Sequence, residues 1–181
     1  MEQNEYTVGH GNLNLPHDVI TLPTQGIFYK SKKKTVKVGY LTAVDENILS
    51  DYDGTRNVTE SIILPLLRNK VYEREIRPEE LLDGDVEAIL LFLRNTAFGP
   101  EYKLTVTDPV TDQKFTATIQ LDELNFKKTE VQPDENGLFN VTLPMSKRKV
   151  SLKLLSLMDT LEIDRIIKSY PADRTAPSIT T

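Results

Sequence analysis

The sequence predicts an α+β protein, a compact body of short antiparallel hairpins packed with about three to four helices. Three patterns carry that expectation. Thr35 to Leu41 alternates its side chains as a strand does, with Val36, Val38 and Tyr40 on the face that should be core. Val86, Ile89, Leu90, Leu93 and Ala97 keep the i, i+3, i+4, i+7 spacing of an amphipathic helix, which Gly99 and Pro100 stop. Tyr102, Leu104 and Val106 alternate against Phe115, Ala117 and Ile119 across a turn at Asp108, Pro109 and Asp112, which makes a hairpin.

The elements follow in chain order. Residues 1–19 show no period that would bury a face and are expected to form a loose arm. The body should span 20–170 as a single domain, and the Pro-, Ser- and Thr-rich residues 171–181 should be a flexible tail. After the first strand, Thr42 can cap a short helix whose first turn carries Asp45 and Glu46, where carboxylates suit the positive end of the dipole. Asp51 to Gly54 ends it. Thr59 is a candidate cap for a helix with Ile62, Ile63, Leu66 and Leu67 inward, bent or shortened by Pro65. Pro78 with Glu79 and Glu80 starts a further turn that restarts at Asp83, and Leu91 and Phe92 widen the stripe of the helix that follows, so it should be covered on more than one side. The last helix should turn Leu157, Leu161 and Ile166 or Ile167 inward.

Two stretches read alike. Set in register by Asp45 and Asp159, Val36 falls on Val150, Val38 on Leu152, Tyr40 on Leu154 and Thr42 on Ser156, while Lys33 and Lys34 fall on Lys147 and Arg148. Each copy is a basic turn, a strand with one apolar face, a hydroxyl cap and an acidic helix start. Duplication and mere similarity of two connections both fit the match. The Leu-Pro at Leu22 and Pro23 recurs at Leu143 and Pro144, but the first copy carries the extra stretch TQGIFYK before its basic turn.

Composition bounds what such a body can do. At 181 residues the fold should bury roughly 70% of the extended chain's surface. A hydrophobic content of 39% excludes a wholly disordered chain, and a net charge of -5 argues against a chain devoted to nucleic acid. There is no cysteine, hence no thiol nucleophile, disulfide or cysteine-ligated metal. The opening residues lack the basic and apolar regions of a secretory signal, and the apolar runs fall short of the ~20 residues that cross a bilayer.

No phosphate-binding glycine loop, zinc-protease helix or nucleophile elbow is present. His10 and His17 fall in the expected arm, without the rigid surroundings a triad or metal needs. The acidic loop at Asp51 fails the calcium-loop pattern, because its glycine comes fourth and its twelfth residue is Ile62. No catalytic residue, metal ligand or cofactor is therefore expected. Lys30, Lys32, Lys33 and Lys34, with Lys147, Arg148 and Lys149, can grip phosphate or an acidic protein face, or simply keep two turns solvated. Only Phe28 and Tyr29 stand near them to stack bases, so nucleic-acid or phosphate binding is the alternative reading and protein contact the leading one.

The order of these features resembles the baseplate hub proteins of T-even-type contractile-tailed bacteriophages. The likeness runs from Leu22, Pro23, Gly26 and Tyr29 through Asp45 and Glu46, then Asp85, Ile89, Leu90, Arg94, Phe98, Gly99 and Tyr102, to Leu143 and Pro144. It implies a non-enzymatic structural or assembly protein that contacts other hub or tail proteins in the host cytoplasm during assembly, either retained in the virion tail baseplate or leaving as an assembly factor. Some members carry a C-P-x-C knuckle at the tip of the central hairpin. Thr107 to Asp112 has no cysteine, so here the turn must rest on Asp108, Pro109 and packing. The contact residues expected on these grounds are Leu22, Pro23, Gly26, Tyr29, Lys32, Lys33, Lys34, Lys147, Arg148 and Lys149, with Arg94 on the central helix. For Pro23, Gly26 and Tyr29 an architectural role fits equally, and Arg94 also suits a helix C-terminus as a plain surface cation.

Overall fold

A computed structural model describes residues 15–126 and 132–170. Among these residues three antiparallel two-stranded sheets combine with four α-helices, three of them between the first and second sheets and one after the third. The α+β expectation holds. β1 (His17–Thr21) pairs with β2 (Thr35–Gly39), placing Ile20 opposite Val36 and Asp18 opposite Val38. The strand thus takes three residues assigned by sequence to the arm: the polar His17 and Asp18 leave only Val19 and Ile20 as an apolar run, and pairing with β2 supplies the order that periodicity does not show. The expected arm 1–14 and tail 171–181 lie outside the described residues.

α1 (Ala43–Ser50) starts where Thr42 predicts. The Asp45 carboxylate accepts from the Thr42 backbone N–H and hydroxyl, both at 2.7 Å. Thr59, by contrast, is not a cap. Asn57 takes that role, its side-chain oxygen accepting from Glu60 N–H at 3.0 Å, and Thr59–Ile63 winds as a π-turn into α2 (Leu64–Lys70). Pro65 cannot donate to the α-helical ladder, and the wide turn before it shifts the phase of the helix. As a result Leu64, Leu66 and Leu67 are buried while Ile62 and Ile63 are only half-buried. A 3-10 turn at Pro78–Glu80 leads to α3 (Asp83–Phe98), which buries Val86, Ala88, Ile89 and Leu93. Leu90, Leu91 and Phe92 are half-buried, and Ala97, expected inside, is exposed.

β3 (Glu101–Thr107) and β4 (Lys114–Gln120) form the central hairpin, with Tyr102 opposite Ile119, Leu104 opposite Ala117 and Val106 opposite Phe115. Its turn stands on Asp108, whose side chain accepts from Val110 N–H at 2.8 Å while its backbone accepts from Asp112 N–H at 2.8 Å. β5 (Phe139–Thr142) pairs with β6 (Lys149–Leu152), and α4 (Leu157–Ser169) follows. Leu157 and Leu161 dock into the core, but Ile166 and Ile167 stay 43% and 41% exposed. The last turns of α4 run past the edge of the body. Tyr40, expected beside Val36 and Val38, lies one residue beyond β2 and is exposed, its ring 6.1 Å from that of Phe92.

One core gathers Leu22, Val36, Val38, Leu67, Ile76, Leu81, Ile89 and Leu93 with Leu157 and Leu161 of α4. Each such side chain contributes about 1.5–3 kcal/mol by leaving water.

Candidate partner-docking site

The residues expected to meet a partner fall into three environments. The first is the loop 22–34. Leu22 closes it by donating from its N–H to Lys34 C=O at 2.8 Å, and its side chain is fully buried. Gly26 takes φ +71, and a Cβ there would run into the Lys33 carbonyl, so both the turn and the space require glycine. The Tyr29 hydroxyl donates to Asp85 Oδ2 and accepts from Leu82 N–H at 3.1 Å. The same fully buried Asp85 carboxylate accepts from Thr24 N–H at 3.0 Å and from Thr24 Oγ1 at 2.6 Å. Burial, then the bond to Asp85, pushes the Tyr29 phenol well above its ordinary value. Leu22 and Tyr29 are therefore buried, and together with Gly26 they pin the loop to the first turn of α3. Pro23 is half-buried beside them.

The second environment is electrostatic. Lys70, at the end of α2, is buried against Asp45, Nζ to Oδ2 at 2.5 Å. Burial alone would raise the Asp45 carboxyl. The hydrogen bonds from Lys70 and Thr42 outweigh it and hold the group below the usual carboxylate range. Among the basic-turn residues, Lys33 pairs with Glu73 and lies 3.5 Å from Glu75, and its hydrogen bond to Glu73 raises its pKa. Lys32 takes φ 53 and donates to Ile27 C=O at 2.7 Å. Lys34 is exposed. Arg94 is also engaged within the chain: it donates to Gly99 C=O and, at 3.0 Å, to Glu101 C=O, and its guanidinium lies 5.7 and 5.5 Å from the rings of Phe98 and Tyr102. It clamps the exit of α3 to the start of β3.

The third environment is the outer hairpin. Lys147, Arg148 and Lys149 are exposed, and among the described residues no carboxylate lies within ion-pair reach of them. Met145 at the same tip is 94% exposed. Phe139, Val141, Val150 and Leu152 share one face of β5 and β6, and Leu152 is 54% exposed. The Phe139 ring lies 6.0 Å from that of Phe28, between centroids. The opposite face is polar, with Ser151 Oγ donating to Asn140 Oδ1 at 2.6 Å. Beneath the hairpin a shallow cavity of about 310 Å³ is lined by Phe28, Leu138, Leu154 and, at its rim, Lys30, Lys153 and Asp159. Lys153 and Asp159 neutralise each other there at 2.7 Å.

Sequence reasoning missed Lys70, Glu73 and Asp85 as the partners of Asp45, Lys33 and Tyr29. A lone Lys closing an apolar helix was the available signal for the first, and no local signal marks the other two.

Among the described residues no cluster of three or more metal-ligating side chains occurs, and no helix is long and apolar enough to cross a membrane. What the geometry defines is an α+β body whose sequence motifs are spent largely on its own architecture and whose outer hairpin faces solvent. The chain belongs to the T4 bacteriophage base plate protein family, whose model matches residues 24–170, nearly the whole described body. Neither curated proteins nor solved structures give a match.

Proposed function

We propose that the protein is a non-enzymatic structural or assembly component of a contractile phage tail baseplate and acts at the central hub through protein contacts. The observation that carries this is the extent of the family match, which runs from the Leu-Pro loop through α4 and so includes the core, the clamp at Arg94 and the outer hairpin. Two carboxylates buried in that body are matched within it: Asp85 to Tyr29 and Thr24, Asp45 to Lys70 and Thr42. Such pairing fixes shape rather than readying groups for reaction. Assembly takes place in the host cytoplasm, with other hub or tail proteins as the partners.

The test is purification of the tagged full-length protein from infected cells, with its companions compared against the composition of mature tails. Recovery of hub proteins is the expected result. Recovery of peripheral baseplate proteins alone would contradict the hub placement, and recovery of nucleic acid without tail proteins would favour the phosphate-binding alternative.

A further inference from the structure

We infer that the free edge of β6 is a docking edge for an extended, acidic and partly apolar segment of a neighbouring protein, which adds to the outer hairpin as a third strand. This rests on the baseplate reading only for where the neighbour is found. The inference itself comes from comparing the two hairpins residue by residue.

In the inner hairpin, Leu22 N–H bonds Lys34 C=O at 2.8 Å; in the outer one, Leu143 N–H bonds Arg148 C=O at 2.9 Å. These bonds fix the phase of both ladders, because hydrogen-bonded and non-bonded pairs alternate along antiparallel strands. Lys37 in β2 and its counterpart Ser151 in β6 thus turn their backbone N–H and C=O away from the partner strand, as Lys149 does. In β2 that outward carbonyl is used. Tyr72 N–H donates to Lys37 C=O at 2.9 Å, and Val71 bridges antiparallel to Val38, so the segment after α2 serves as a third strand. Its next residue, Glu73, takes the basic turn's Lys33, and its apolar side helps bury Val36 and Val38.

Among the described residues, what this segment satisfies in the inner hairpin is open in the outer one. Among the described residues β6 pairs only with β5, leaving the outward groups of Lys149 and Ser151 without a strand. Among the described residues Lys147, Arg148 and Lys149 find no carboxylate such as Lys33 has. Val141 and Leu152 are exposed where Ile20 and Val38 are covered. An open edge, a cationic tip and an apolar face together select a segment that offers backbone pairing, carboxylates and alternate apolar side chains. A phosphate backbone would use the cations and leave the edge and the apolar face unsatisfied.

The segment Val71–Glu73 of a second copy does not fit this edge. The Tyr72 ring lies where a Cβ on Gly39 would stand, and the matching position in the outer hairpin is Lys153, whose side chain is held by Asp159 at 2.7 Å. The incoming strand therefore carries a small or acidic residue there rather than an aromatic one.

The test is site-specific photo-crosslinking of the full-length protein in infected cells, with benzoyl-phenylalanine placed at Met145 or Leu152 and the crosslinked peptides sequenced by mass spectrometry. Crosslinks into a carboxylate-bearing, alternating segment of another protein are expected. The triple variant K147E/R148E/K149E should cut their yield about tenfold while leaving the melting temperature of the purified protein unchanged. Crosslinks to nucleic acid, to a basic segment or to another copy of this chain would overturn the inference, as would a yield indifferent to the charge reversal. So would no crosslink from a protein that still co-purifies with baseplate proteins. An acidic segment from a protein foreign to the baseplate would keep the docking edge and overturn the baseplate reading instead.

Discussion

The inner hairpin, β1 with β2, and the outer hairpin, β5 with β6, share a design and differ in what they keep for themselves. Both close with a Leu-Pro after the first strand, and both feed a helix whose third-position Asp caps the residue before the helix, Asp45 to Thr42 and Asp159 to Ser156. Both capping carboxylates also meet a lysine. Lys70 reaches Asp45 from α2 and is buried with it, whereas Lys153 reaches Asp159 from just beyond β6 and both stay partly in water. The difference teaches that one local sentence, read in two tertiary settings, yields a core element in one place and a presented surface in the other.

The comparison can be broken most forcefully at the two lysines. Lys70→Met leaves Asp45 buried with only Thr42 beside it and should cost about 3–5 kcal/mol in urea unfolding; Lys153→Met should cost under about 1 kcal/mol. Equal losses would erase the distinction between the hairpins. Next in size are the apolar counterparts: Val38→Ala should cost about 2 kcal/mol, while Leu152→Ala in the isolated protein should change stability by about 0.5 kcal/mol or less. Tyr29→Phe removes the donor to Asp85 and the acceptor for Leu82 N–H, with an expected loss of about 1–3 kcal/mol that no substitution in the loop 143–148 should match.

The pH response sharpens the same contrast. Asp45 is held below its ordinary value in the folded protein, so its contribution is present above the unfolded carboxyl pKa of about 3.9 and is lost as pH falls through the lower folded value. Tyr29 is shifted the other way. Its contribution is complete below the unfolded phenol pKa of about 10 and fades as pH rises further, since the unfolded chain ionises first. Urea midpoints should therefore decline at both extremes, and Tyr29→Phe should flatten the alkaline limb. The Asp159 carboxyl is also lowered, by Lys153 first and then by Ser156 N–H, but its exposure makes its share of the acid limb the smallest effect here.

Much of this architecture is written locally. The period from Val86 to Leu93 announces α3, Thr42 and Ser156 announce their helices, and Asp108 announces the central turn, because each depends on neighbours within a few residues. The outward placement of the second hairpin is not written that way. Lys33 and Lys147 occupy matching positions, and only Glu73, contributed by a segment from elsewhere in the chain, makes them different. The same holds for the extra stretch in the first copy: nothing near Tyr29 in sequence announces Asp85, which the fold brings to its hydroxyl. Likewise Thr59 lost its capping role because Pro65 imposed a π-turn upstream, a constraint that propensity at Thr59 does not register.

Backbone amide exchange tests the central contrast most directly. In the isolated protein, Tyr72 N–H should be protected by its bond to Lys37, while the N–H groups of Lys149 and Ser151 should exchange as solvated groups; in the complex recovered from infected cells those two should slow by about tenfold or more. Protection of Lys149 and Ser151 already in the isolated chain, or rates unchanged in the complex, would contradict the account.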